Sequence, residues 1–136
     1  MLSLGPRLIG QTEKTLDAVL TRILREHDLS TSEWVALRLA ADTSAVPLAA
    51  FVRAQAHFED ADDLVARLAA RGLVAGDQLT GEGQSLIARV TQVITSLTGS
   101  IWENLDPDDV AAAGRVLNAV QSEYRTVLAG LSESAA

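Results

Sequence analysis

Two histidines that lie beside carboxylates are the residues of this chain best suited to acid–base or metal chemistry. His27 is followed by Asp28, and His57 comes shortly before Glu59 and Asp60. An imidazole next to a carboxylate can transfer a proton or bind a metal ion. However, neither histidine has a second cluster of ligand residues, and the sequence has no cysteine, no serine in a nucleophile-elbow pattern and no glycine-rich phosphate loop. We therefore expect no enzymatic activity, no metal site and no cofactor.

The densest group of charged side chains is acidic and follows His57. Four of five successive positions carry carboxylates: Glu59, Asp60, Asp62 and Asp63. Carboxylates in the first turn of a helix stabilise it by roughly 0.3–1 kcal/mol each, which explains the cluster if a helix begins there. Steps of four residues would then align acids and bases in one ridge: Glu59, Asp63, Arg67 and Arg71. Two other interpretations stay open: an acidic surface that binds a basic partner or mimics the charge of DNA, and DNA contact made through nearby arginines.

Composition restricts the class of protein before any element is placed. The chain has 136 residues, which fits one domain, and its 48% hydrophobic and 21% charged content is typical of a globular protein. Eleven basic residues stand against eighteen acidic ones, a formal net charge of -7, which argues against a general binder of polyanions. No apolar run approaches the roughly 20 residues of a membrane span, and the first residues lack signal-peptide features. We therefore expect a cytoplasmic protein without a membrane partner.

Apolar residues spaced three and four positions apart predict long amphipathic helices at both ends of the chain. One extends to about His27, a second runs from Thr80 to about Glu103, and a third begins at the capping residue Asp106. Apolar stripes of this length at both termini indicate packing across a two-fold axis, in which case the protein is a homodimer. The alternative is that the terminal helices wrap the middle of the same chain.

The middle of the chain is built from shorter elements. Ser30 and Glu33 form a capping box that starts a helix, which stops in a polar break at residues 41–44. A further helix covers about residues 59–71, and Gly76-Asp77-Gln78 predicts the tight turn of a small β-hairpin after it. We therefore expect a single domain over residues 1–136, with one lobe at 30–79 and a helical dimerisation lobe formed by 1–29 and 80–136.

The order of these segments resembles the MarR family of winged-helix transcriptional regulators. The matching segments are residues 27–37, 64–74, 79–86 and 105–110, of which the second reads LVARLAARGLV and the third LTGEGQSL. Each segment alone is a weak signal, because L-x-x-R-G-L-V occurs in many winged helices. Their common order and spacing is more specific, and the resemblance covers nearly the whole chain.

The resemblance implies a mainly α fold: a winged helix-turn-helix with long N- and C-terminal dimerisation helices and a small β-hairpin wing. It implies a homodimeric regulator, a repressor by our expectation, that places one recognition helix per subunit in the major groove of duplex DNA. It also implies a small aromatic effector. The alternative function is a winged-helix homodimer that has lost DNA binding and acts as a protein-interaction or ligand-sensing module.

Two features depart from this family. The recognition helix, expected to begin at His57, carries the acidic cluster where relatives usually present small polar or basic residues. The wing is shortened to four residues between Val74 and Leu79, and no arginine lies between Arg71 and Arg89. The predicted DNA-binding residues are the nearby arginines, the histidine and one carboxylate that could accept a hydrogen bond from a cytosine amino group: Arg53, His57, Asp60, Arg67 and Arg71.

Trp34 and Arg38 are the predicted ligand-binding residues. They lie four positions apart on one helix, and an arginine beside an aromatic ring suits a carboxylated aromatic effector. The alternative is that Trp34, like Trp102, is a packing residue of the core or of an interface.

Overall fold

The computed structural model of the protein describes residues 1–42 and 46–135. Within those residues the elements follow in this order: α1 (Pro6–Arg25), α2 (Thr31–Asp42), α3 (Leu48–Ala56), α4 (Ala61–Ala70), β1 (Val74–Ala75), β2 (Gln78–Leu79), α5 (Gly81–Glu103) and α6 (Pro107–Ala135). The fold is mainly helical with a small antiparallel hairpin, as expected for a winged helix-turn-helix. The chain divides into two compact units, Met1–Leu97 and Thr98–Ala136.

The starts of α2 and α6 follow local capping signals. The hydroxyl of Ser30 accepts a hydrogen bond from the backbone N–H of Glu33, and the Glu33 carboxylate accepts one from the backbone N–H of Ser30, both at 3.0 Å. This is the predicted capping box, in which each residue satisfies a backbone donor of the other. Asp106 caps α6 by accepting from the backbone N–H groups of Asp108 and Asp109 at 2.8 and 3.3 Å. Both predicted starts are confirmed.

Helices α1 and α4 end where the backbone enters the left-handed region, and in each the next residue returns to the core. After α1, Asp28 has φ 54° and the N–H of Leu29 donates to the carbonyl of Leu24 at 3.2 Å. After α4, Gly72 has φ 73° and the corresponding bond joins Leu73 to Leu68 at 3.0 Å. In both motifs the leucine beyond the turn packs into the core, so each ending is fixed by burial as well as by hydrogen bonding. The α1 helix therefore stops two residues before His27, the predicted end.

The hairpin is closed by a two-residue turn. Val74 pairs with Leu79 and Ala75 with Gln78, while Gly76 and Asp77 both have positive φ, 56° and 64°. Two positive φ angles define a type I′ turn, which matches the right-handed twist of the strands. The predicted turn is confirmed. The Asp77 carboxylate accepts a hydrogen bond of 3.3 Å from the backbone N–H of Leu48, so the wing is joined to the start of α3.

The start of α5 lies directly against the hairpin. A Cβ atom added to the buried Gly83 would overlap the carbonyl oxygen of Leu73 and come within 2.7 Å of Leu79. The hydroxyl of Thr80 donates to the carbonyl of Gly72 at 2.6 Å and accepts from the N–H of Gly83 at 3.1 Å. Only glycine allows this approach, which fixes the wing between α4 and α5.

The core of the first unit lies among α1 to α5 and the hairpin. Its fully buried large side chains are Leu24, Leu37, Leu48, Val52, Leu64, Leu68 and Val90. The described residues include no buried polar or charged side chain. The interior of the first unit is apolar, and α2, α3 and α4 contact one another around it.

The second unit has the opposite distribution of apolar residues. It contains the end of α5 and the whole of α6, and its exposed large apolar side chains are Ile101, Trp102, Leu105, Val110, Val116, Leu117, Tyr124, Val127, Leu128 and Leu131. None of the α6 residues whose exposure is described is buried. In the described part of the chain, no helix is long and apolar enough to cross a membrane.

Candidate nucleic-acid interface

The turn between α3 and α4 differs from the predicted recognition helix. His57 has φ 59°, and its backbone N–H donates to the carbonyl of Arg53 at 3.0 Å, which ends α3. Phe58 then packs, half-buried, against the core, and α4 begins only at the buried Ala61. The expectation that the recognition helix begins at His57 is therefore wrong, because a left-handed residue and a half-buried ring occupy the positions expected for its first turn.

The acidic cluster is divided by the start of α4. Asp62 and Asp63 lie in its first turn, where their charge favours the helix dipole, whereas Glu59 and Asp60 precede it. All four are exposed. The dipole explanation therefore holds for the two residues inside the helix. It does not extend to the predicted ridge of four residues, because α4 contains only its two central members, Asp63 and Arg67.

Arg53 and Asp62 join the two helices across the turn. A guanidinium nitrogen of Arg53 lies 2.9 Å from a carboxylate oxygen of Asp62, within hydrogen-bonding distance. The two side chains are 48% and 81% exposed, so the pair stands at the surface. Arg53 is the basic residue that the structure places at the helix-turn-helix turn, as expected, and the side chain already has an acidic partner.

Arg71 lies at the other end of α4. Its guanidinium donates to the carbonyl oxygens of Asp28 at 2.7 Å and His27 at 3.4 Å, and lies 3.5 Å from the carboxylate of Glu33. These contacts join the end of α4 to the connection between α1 and α2. The structure therefore does not bring Arg71 together with Arg53, His57 and Asp60, which lie around the turn before α4. A DNA contact by Arg71 stays a prediction.

Arg67 is exposed in the last turn of α4, and His57 is exposed at the end of α3. Asp60 is the residue before α4, although its side chain makes no capping hydrogen bond. The surface around the turn therefore contains one paired arginine, one histidine and four carboxylates.

Trp34 lies in the core of the first unit with 7% of its surface exposed, whereas Arg38 is exposed one turn later on α2. The position of Trp34 fits its interpretation as a packing residue. Trp102, by contrast, is 56% exposed and lines an apolar depression of about 400 Å³ in the second unit, together with Leu105, Val110 and Leu117. Ligand binding by Trp34 and Arg38 stays a prediction.

The sequence did not indicate a polar crevice of about 640 Å³ in the first unit. Its lining residues are His27, Asp28, Arg71, Leu73, Gly81, Glu82, Ser85, Leu86 and Arg89. They come from segments far apart in the sequence, and no spacing rule could have grouped them. The crevice contains arginines and carboxylates together, and the contacts of Arg71 with the chain supply part of its wall.

Two helices joined by a tight turn, with the second exposed beside a hairpin wing, define a winged helix-turn-helix protein. The chain belongs to a family described as a helix-turn-helix family, whose model matches residues 17–129. The matched segment includes all of α2 to α5 and both strands of the wing. Membership of this family supports a DNA-binding regulator. No individual curated protein matches the chain.

Proposed function

We propose that this protein is a MarR-like transcriptional repressor of the cytoplasm, without enzymatic activity, that binds duplex DNA as a homodimer. The observation that carries the proposal is that helices α3 and α4 lie within the matched helix-turn-helix segment, with the half-exposed Arg53 at the turn between them. In this arrangement α4 enters the major groove and the wing lies beside it. The hydrogen bond between Asp77 and the N–H of Leu48 keeps the wing in register with α3.

Few phosphate contacts are available to such an interface. The wing contains no basic residue, so Arg53 and Arg67 supply the positive charge on α3 and α4. Each phosphate contact steepens the dependence of log affinity on log salt concentration by about 0.9. We therefore expect weak binding to DNA of arbitrary sequence and a shallow but measurable salt dependence.

Fluorescence anisotropy with a labelled duplex at increasing salt tests DNA binding. On a duplex that the wild type has enriched from a random library, Arg53→Ala and Arg67→Ala should each weaken binding and lower the salt slope. Arg115→Ala, which removes the same charge from the exposed surface of α6, is the matched control and should change neither. An intact dimer that binds no duplex DNA at low salt would contradict the proposal.

Support for the homodimer comes from the exposed apolar residues of α6. Tyr124, Val127 and Leu131 are each at least half exposed, and water contact with such a face is unfavourable. A second copy that pairs the same face across a two-fold axis would cover it. We expect light scattering to give twice the monomer mass, and Val127→Glu to give the monomer mass. Ser122→Glu, which adds the same charge elsewhere on α6, should leave the dimer intact; a monomeric wild type would contradict this part of the proposal.

A second candidate function is a protein-interaction or ligand-sensing module without DNA binding. The specific observation in its favour is the exposure of all four carboxylates around the start of α4, where DNA phosphates would approach. Combined replacement of Glu59, Asp60, Asp62 and Asp63 by the corresponding amides separates the two functions. DNA affinity that arises only in this variant favours the second function, whereas binding by the wild type favours the first.

A small aromatic acid as effector is part of the proposal, with Arg38 as the partner of its carboxylate. The supporting observation is the exposure of Arg38 one turn after Trp34 on α2. Benzoate should raise the melting temperature of the wild type more than that of Arg38→Ala, with Arg22→Ala, an exposed arginine of α1, as control. Equal shifts in the three proteins would contradict it.

A further inference from the structure

The ion pair between Arg53 and Asp62 has a consequence for sequence discrimination. We propose that Asp62 is a specificity-determining residue, which withholds Arg53 from DNA of arbitrary sequence and releases it where the base sequence gives Asp62 another partner. This inference rests on the proposed DNA-binding function. It concerns how the interface selects a site, which the helix-turn-helix fold alone does not specify.

Arg53 and Asp62 lie on either side of the turn between α3 and α4, where one side chain can contact a phosphate and the other a base. Arg53 lies in the last turn of α3, and its backbone carbonyl accepts the hydrogen bond from His57 that forms the turn. Asp62 lies in the first turn of α4, the part of a recognition helix that contacts base edges. Asp62, whose carboxylate pairs with Arg53 at 2.9 Å, therefore occupies a position that would face the bases in a DNA complex.

The ion pair is weak enough for Arg53 to exchange Asp62 for a DNA phosphate. An exposed ion pair favours its paired over its separated arrangement by less than about fivefold, because water and salt screen both charges. A phosphate can therefore displace Asp62 from Arg53, but the displaced carboxylate then faces the negative field of DNA without a partner. That cost offsets the gain of the phosphate contact on most sequences.

A cytosine amino group changes this balance. It donates a hydrogen bond in the major groove, and a carboxylate is the side-chain group that accepts it. Where cytosine lies opposite Asp62, the exchange gives two contacts, Arg53 with phosphate and Asp62 with the base. Where another base lies there, the carboxylate stays unpaired and the original ion pair is favoured.

Asp63 provides a matched control for this mechanism. It is the next residue of the same helical turn, carries the same charge and is also exposed, but the ion pair of Arg53 is made with Asp62. Asp62→Asn and Asp63→Asn therefore remove one equal charge each, and only the first frees Arg53.

The test measures the affinity of wild type and both variants for two duplexes, one of random sequence and one enriched from a random library by the wild type. Both variants should bind the random duplex more tightly, and Asp62→Asn more tightly than Asp63→Asn by about two- to fivefold. Asp62→Asn should also steepen the salt slope by up to about 0.9 per subunit and lower the ratio of the two affinities. In an Arg53→Gln background the two variants should become equal.

Equal affinities and equal salt slopes of Asp62→Asn and Asp63→Asn would overturn the inference, since net charge alone would then explain the gain, while the proposed function would stand. An unchanged preference of Asp62→Asn for the enriched duplex would overturn it as well. If no protein binds either duplex, the proposed function itself fails. Circular dichroism melting curves establish that each variant is folded before binding is measured.

Discussion

The two ends of α4 are held in opposite ways. At its C-terminal end, Gly72 turns the chain, Leu73 returns into the core, and Arg71 is held by Glu33 and by two backbone carbonyls. At its N-terminal end, the side chain of Asp60 makes no capping hydrogen bond and the contact across the turn is an exposed ion pair. One end is thus part of the structural framework, and the other presents charges that a partner can reorganise.

The difference indicates that some residues of α4 stabilise the fold and that others take part in binding. Changes at the buried face and at Arg71 should alter the free energy of unfolding, whereas changes at the exposed residues of the first turn should alter binding and leave stability nearly constant. Substitutions along α4 test this difference between its two ends.

The largest expected effect is at the buried face. Leu68→Ala removes a fully buried side chain, and such substitutions reduce the free energy of unfolding by about 2–5 kcal/mol. Urea denaturation measures the change. Arg67→Ala, the exposed neighbour on the same helix, should change it by less than about 0.5 kcal/mol. Similar losses for both variants would mean that α4 is not packed as the structure shows.

An intermediate effect is expected at the C-terminal end. Arg71→Ala removes the donor to two carbonyl oxygens and the partner of Glu33, and hydrogen bonds that involve a charged group contribute about 1.5–3 kcal/mol. Because the side chain is 35% exposed, we expect the lower end of this range. Arg71→Lys, which keeps the charge but loses the forked geometry, should recover part of the loss. No loss in Arg71→Ala would remove the contrast between the two ends.

The smallest effect on stability is expected at the N-terminal end. Asp62→Asn breaks an exposed ion pair and removes one charge from the first turn, so the free energy of unfolding should fall by at most about 1 kcal/mol. Denaturation of Asp63→Asn, measured alongside, separates the contribution of the pair from that of the dipole. A loss larger than that of Arg71→Ala would reverse the proposed difference between the two ends of α4.

The sequence predicted those features that neighbouring residues determine. The capping box of Ser30 and Glu33 and the cap at Asp106 involve residues at most three apart. A glycine followed by an aspartate predicts a tight turn, because both residues tolerate positive φ. The spacing of apolar residues by three and four positions likewise indicates helices at both ends of the chain.

Features that depend on distant packing were not predicted. The sequence predicts too early a start for α4, because the left-handed conformation of His57 and the partial burial of Phe58 follow from the core and not from local preference. Arg71 contacts a carbonyl 43 positions away, and no periodicity reports such a distance. For the same reason the acids and bases assigned to one ridge divide among three different environments.

The hydrogen bond from the Leu48 N–H to Asp77 gives the wing a second duty. A loop that serves as the cap of α3 cannot lengthen at this point without leaving the first turn of that helix without an acceptor. The short wing therefore stabilises the start of α3 and also forms a surface beside the helix-turn-helix. A stronger DNA binder engineered from this scaffold should gain its positive charge on α3, and the two-residue loop should keep its length.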